Sequence, residues 1–119
     1  MAVRTLLPSA SRTTAQTFTI NVARAKAIRV YLDLTNLNAV TPGLTVTIDA
    51  WDSVSNKFVN LLTGAAIVTV STNMYTVGIG VTAVANGAAN AYLGDFVRVA
   101  VAVADADAAT YSLTAHLIR

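Results

Sequence analysis

Hydrophobic and polar residues alternate with a period of two along most of the chain, a pattern that puts one set of side chains on a buried face of a β-strand and the other outward. Phe18, Ile20 and Val22 alternate with Thr17, Thr19 and Asn21, and Ile28, Val30, Leu32 and Leu34 alternate with Arg29, Tyr31, Asp33 and Thr35. Leu44, Val46, Ile48 and Ala50 follow the same rule with Thr45, Thr47, Asp49 and Trp51. Toward the end, Val97, Val99, Val101 and Val103 alternate with Arg98, Ala100 and Ala102, and Tyr111, Leu113, Ala115 and Leu117 alternate with Ser112, Thr114 and His116. Shorter strands are predicted at 3–7, 58–62, 67–70 and 74–79.

Turn chemistry falls between these runs, at Thr41-Pro42-Gly43, 53–57, Thr63-Gly64, Ser71-Thr72-Asn73 and Asp105-Ala106-Asp107. Strands at this spacing predict a single all-β domain, an antiparallel β-sandwich of about eight strands with a jelly-roll or immunoglobulin-like topology. Residues 80–94 break the pattern. They are rich in Ala, Asn and Gly, and read as a long surface loop with one irregular turn, a loop length usually tied to function or motion. Residues 1–15 carry Arg4, Leu6, Leu7, Pro8 and Arg12 among Ser and Thr. Two readings stay open there: an extended arm that buries Leu6 and Leu7 on a neighbour, or an edge strand over 3–7.

Composition supports the β reading. Of 119 residues, 22 are Ala, 16 Thr and 16 Val, and there is no Cys and no Glu. Thr and Val favour strands, while the absence of Cys excludes a disulfide scaffold or a thiolate metal site. Eight basic and six acidic residues give a net charge of +2, with no run of like charges. Nucleic-acid binding, which draws on clustered cations facing adjacent phosphates, is therefore not expected. No apolar stretch approaches the ~20 residues of a membrane helix, and no secretory signal pattern opens the chain. Membrane association is not expected, and synthesis in the cytoplasm is.

Catalytic chemistry finds little purchase. The single histidine, His116, falls on the polar side of the last strand without a nucleophile beside it in sequence, so it reads as a solvent or interface residue. Asp49 with Asp52, and Asp105 with Asp107, read as pairs that flank turns and cap backbone groups. Neither pair supplies the six or more oxygens usual for calcium. The glycines match no phosphate loop or dinucleotide fingerprint. No enzyme activity, cofactor or metal is expected.

The outward positions are more informative. Charged residues make up 12% of the chain, about half the usual share, so outward positions are mainly Thr, Ser, Ala and Asn. Parity places Trp51 and Tyr31 outward among them, where aromatics are enriched at interfaces. They either meet a partner or are covered by the chain's own loop or arm. The candidate partner interface comprises Arg4, Leu6, Leu7, Arg12, Tyr31, Trp51, Asn86, Asn90 and Tyr92.

The segments Leu44-Thr-Val-Thr-Ile48, Asp52-Ser-Val-Ser-Asn-Lys-Phe58, Leu61-Leu62 and Ala65-Ala-Ile67 resemble small virion proteins of tailed bacteriophages, in which a T-V-T-I strand leads into a D-P-V-S-G-K-aromatic turn. Val81-Thr-Ala-Val-Ala-Asn86, Phe96-Val-Arg-Val99, Ala104-Asp105 and Thr110-Tyr-Ser-Leu113 are similar to the same group's Asn/Ala-rich loop and closing strands. The resemblance spans roughly residues 26–118. Ser53 stands where proline is usual and Asn56 where glycine is usual; asparagine tolerates the left-handed conformation such a turn needs. The resemblance implies a capsid decoration protein on the virion surface, with a tail or head–tail joining subunit as the alternative. It implies the major capsid protein as partner, and association of this chain with further copies, taken as a trimer. A carbohydrate-binding module is the alternative of another class, since exposed aromatics also stack on sugars.

Overall fold

The computed structural model describes residues 2–23, 25–37, 43–103 and 108–119. Among them nine strands follow in chain order: β1 (Ala2–Arg12), β2 (Gln16–Asn21), β3 (Ala27–Leu37), β4 (Leu44–Asp52), β5 (Lys57–Thr63), β6 (Ser71–Gly78), β7 (Ala88–Asn90), β8 (Phe96–Val103) and β9 (Ala109–Ile118). They form two sheets, ordered β1-β9-β3-β6-β7 and β2-β8-β4-β5. All pairings are antiparallel except β6 with β7, which is parallel. With β7 set aside, successive strands alternate between the sheets except at the β4–β5 hairpin, β9 inserts between β1 and β3, and β8 between β2 and β4. That order is a jelly roll, which decides between the two topologies the pattern allowed.

The period-two pattern becomes the core. Ile28, Val30, Leu32 and Leu34 of β3 and Tyr111, Leu113, Ala115 and Leu117 of β9 are buried, and pack in one cluster with Val46 and Ile48 of β4 and Val97, Val99 and Val101 of β8. Each buried Val, Leu or Ile among them contributes about 1.5–3 kcal/mol relative to an exposed position, enough to fix the register wherever one face is buried.

Several expectations need correction. Of the two readings left open at the N-terminus the edge strand holds, and it is longer than 3–7: Ala2–Arg12 pairs along its length with β9. Its register shifts between Thr5 and Leu7 and again between Leu7 and Ala10. The first shift turns Leu7 inward, where it is 9% exposed, and Leu6 is half-buried against the same core. Both leucines serve this chain's own sandwich. Residues 67–70 form no strand: Ile67 alone pairs with Leu44, donating its N–H at 2.8 Å and accepting at 3.3 Å, while Val68 and Val70 lie exposed. Ser71, Thr72 and Asn73 belong to β6 rather than to a turn.

Residues 80–94 are more ordered than a plain loop. A turn between Val84 and Ala88, with Asn86 at φ 61°, leads into β7, which pairs through Thr76↔Ala88, Val77↔Ala89 and Gly78↔Asn90. Leu93 then drops into the core at 1% exposure. In the β4–β5 hairpin the expected turn forms: Asn56 takes φ 56°, and the Asp52 carboxylate accepts from the Val54 N–H at 3.1 Å and the Ser55 hydroxyl at 2.8 Å. The expected turns at Thr41-Pro42 and Asp105-Ala106-Asp107 lie outside the described residues.

Candidate functional site

The outward face of the β2-β8-β4-β5 sheet is built in rungs that the register fixes. One rung runs Thr19, Arg98, Asp49, Asn60; the next carries Asn21 beside Phe96, and Trp51 beside Phe58. Leu61 is the extra residue at the β5 bulge between Ile48 and Asp49, and this shift sets Phe58 and Asn60 on the same face as Trp51 and Asp49.

Asp49 lies within β4 on the outward side that its parity predicted, 7% exposed, but it pairs with side chains instead of capping backbone groups as expected beside a turn. Its Oδ2 accepts from Arg98 Nε at 3.1 Å and Nη2 at 2.9 Å, and its Oδ1 accepts from Asn60 Nδ2 at 3.0 Å. Held this way, the Arg98 guanidinium lies 4.3 Å from the centroid of the Phe58 ring. Phe58 meets Trp51 edge to face, with centroids 5.0 Å apart. Phe96 is 41% exposed on the neighbouring rung and closes a shallow dish of about 290 Å³ with Thr19, Trp51 and Phe58.

A second hollow of about 340 Å³ shares Trp51 and Phe96 with the dish and is lined besides by Tyr92, Asp52 and Asp95. Gly94, at φ 71°, adopts the left-handed turn that carries the chain from buried Leu93 back out to Asp95, bringing Tyr92 and Phe96 to the same hollow. Tyr92 is 73% exposed. Hydrogen bonds from the Ser55 hydroxyl and the Val54 amide lower the Asp52 pKa below its ordinary value, so this carboxylate is ionised at neutral pH.

The nine sequence-predicted residues do not form one surface. Trp51 and Tyr92 meet at the second hollow. Tyr31 points outward from the opposite sheet, half-buried, with its ring 5.1 Å from that of His116 and Met74 beside it in register. Arg4 is exposed on β1, in register with Ala115. Asn86 lines a separate hollow of about 260 Å³ with Ile67, Met74 and Tyr75, and Asn90 accepts from the Gly80 N–H at 3.1 Å. Arg12 is a structural residue: it donates to the carbonyls of Pro8 at 2.6 Å, Ala10 at 3.0 Å and Tyr111 at 2.8 Å, which staples the irregular stretch of β1 to β9.

Phe58 and Phe96 complete the aromatic face and were missing from the sequence-based interface. Phe96 shares the outward parity of Arg98, and Phe58 mirrors Trp51 across a tight hairpin, so both signals lay in the pattern. Among the described residues no group of three or more His, Cys, Asp or Glu side chains is placed to hold a metal ion. No family model matches the chain, and none of the curated proteins compared with it matches.

Proposed function

We propose that the chain is a structural protein of a tailed-phage virion that decorates the capsid, with no enzymatic role, binding the assembled shell of the major capsid protein through the aromatic face of the β2-β8-β4-β5 sheet. The observation that carries this reading is the row of Trp51, Phe58 and Phe96 on a face where the charges of Arg98 and Asp49 answer each other and further positions, such as Thr17, Thr47 and Ala100, are small and neutral. Rigid aromatics on a weakly charged face supply contact area at little entropic cost and little desolvation of charge. The jelly roll adds an associational argument, since viral capsid domains often use it. The resemblance of the hairpin and closing strands to phage virion proteins points the same way. Further copies of the chain, taken as a trimer, would share the shell surface.

Decoration stabilises by linkage: a protein that binds only the assembled shell favours it by about 2.7 kcal/mol per site at a hundredfold excess over Kd. Heating purified shells with and without the protein tests this. A raised disruption temperature with the wild-type chain, lost in Phe96→Ser, is the expected result; an unchanged temperature with saturating wild-type protein contradicts decoration. Density at the tail alone in labelled virions would instead favour a joining subunit.

A further inference from the structure

The aromatic face already holds one cation of its own. Arg98 lies against the Phe58 ring with its charge answered by Asp49. In the second hollow the same ingredients recur, aromatic walls in Trp51, Tyr92 and Phe96 and carboxylates in Asp52 and Asp95, yet among the described residues no basic side chain lines it. Lys57 stands opposite Asp52 in the hairpin register, but the ion pair found among the described residues is Arg98 with Asp49. Two of the four described acids of a chain with net charge +2 therefore flank one aromatic hollow.

We infer that this hollow takes a basic side chain, an arginine in preference to lysine, presented by the protein partner. The inference rests on the reading of this face as the partner surface, and names the chemistry it recognises. A cation over an aromatic ring gains from the ring quadrupole, and more when water is excluded. Guanidinium suits the place better than ammonium, because its plane stacks on Trp51 or Tyr92 while its edge donates two parallel hydrogen bonds to a carboxylate. The partner segment that docks here thus presents an arginine to Trp51 and Tyr92.

Trp51 is the chain's one tryptophan, so its fluorescence and its indole N–H resonance report on the two hollows it lines, and Asp52 and Asp95, which line only the second, tell them apart. Titration of the full-length chain with N-acetyl-arginine methylamide should shift both signals saturably. The citrulline analogue, isosteric and neutral, should bind about tenfold more weakly. Asp95→Asn should weaken the arginine response severalfold, and Asp52→Asn should do so alongside a circular dichroism check that the hairpin it caps is intact. A response that does not saturate, equal binding of the citrulline analogue, or a response to methyl β-glucoside instead of arginine overturns the inference. The probes act on the isolated chain, so a failed titration leaves shell binding to its own assay. Shells that ignore a protein whose Trp51 responds to arginine overturn decoration and leave the cation site standing.

Discussion

Arg98 and Asp49 face each other directly across the β4–β8 ladder, joined through Nε and Nη2 to one carboxylate oxygen. The Asp49 side chain is 10% exposed and that of Arg98 36%. Water reaches the cation but scarcely the anion, so the pair is asymmetric: removing Arg98 strands a carboxylate with Asn60 as its one side-chain donor among the described residues. The same guanidinium lies over the Phe58 ring, joining the pair to the aromatic row.

Arg98→Met should lower the unfolding free energy by about 1–3 kcal/mol, less than a fully buried pair because solvent screens the guanidinium. A double-mutant cycle with Asp49→Asn, followed by urea unfolding, should return a coupling of about 1 kcal/mol or more. A coupling near zero contradicts the structural role of the pair.

Leu7 distinguishes an integrated edge strand from a detachable arm. Leu7→Ala should cost about 2–3 kcal/mol, near the low end for a buried leucine because the site lies on an edge strand, whereas Val3→Ala, at an exposed position, should change stability by no more than about 0.5 kcal/mol. Equal small effects in urea unfolding would mean that β1 contributes nothing to the sandwich.

Arg12 should act on stability and not on partner binding. Arg12→Lys loses the fork that reaches three carbonyls at once, with an expected cost of about 1–2 kcal/mol by thermal unfolding. Shell association by the folded variant should match wild type; a selective loss of association would return Arg12 to the interface.

The Tyr111 hydroxyl is buried and lacks a hydrogen-bond partner among the described residues. Tyr111→Phe should therefore be neutral or stabilising by up to about 1 kcal/mol, since an unmet hydroxyl gains nothing from burial. Burial raises the pKa of Tyr111, partly opposed by Arg12, and burial raises that of Tyr75. Above the ordinary value of 10.0 the unfolded chain loses these protons first, so stability is full below pH 10 and falls as pH rises past it. Tyr111→Phe should flatten that alkaline decline in urea midpoints measured from pH 8 to 11; an unaltered slope would contradict it.

The inward positions of β3, β4, β8 and β9 were legible because burial on one face demands strict alternation, as at Ile28, Val30, Leu32 and Leu34. Parity also set Trp51, Arg98 and His116 outward correctly. What escaped the pattern depends on geometry that period two does not encode. Bulges at Leu6 and Leu61 reset the phase of β1 and β5. β7 is three small residues, Ala-Ala-Asn, ordered by hydrogen bonds to β6 rather than by its own hydrophobicity. Ile67-Val68-Thr69-Val70 has every local preference for a strand, yet only Ile67 finds a partner. The site was half visible: Trp51 and Tyr92 stood out as aromatics, while the pairing of Asp49 with Arg98 did not, because the two lie 49 residues apart.

A reconstruction of the virion that carries this protein is the decisive measurement. Density for the jelly roll is expected on the outer shell, with Trp51, Phe58 and Phe96 buried against the major capsid protein and a basic side chain of that partner between Trp51 and Tyr92. Density confined to the tail, or shell-bound density with this aromatic face turned to solvent, would contradict it.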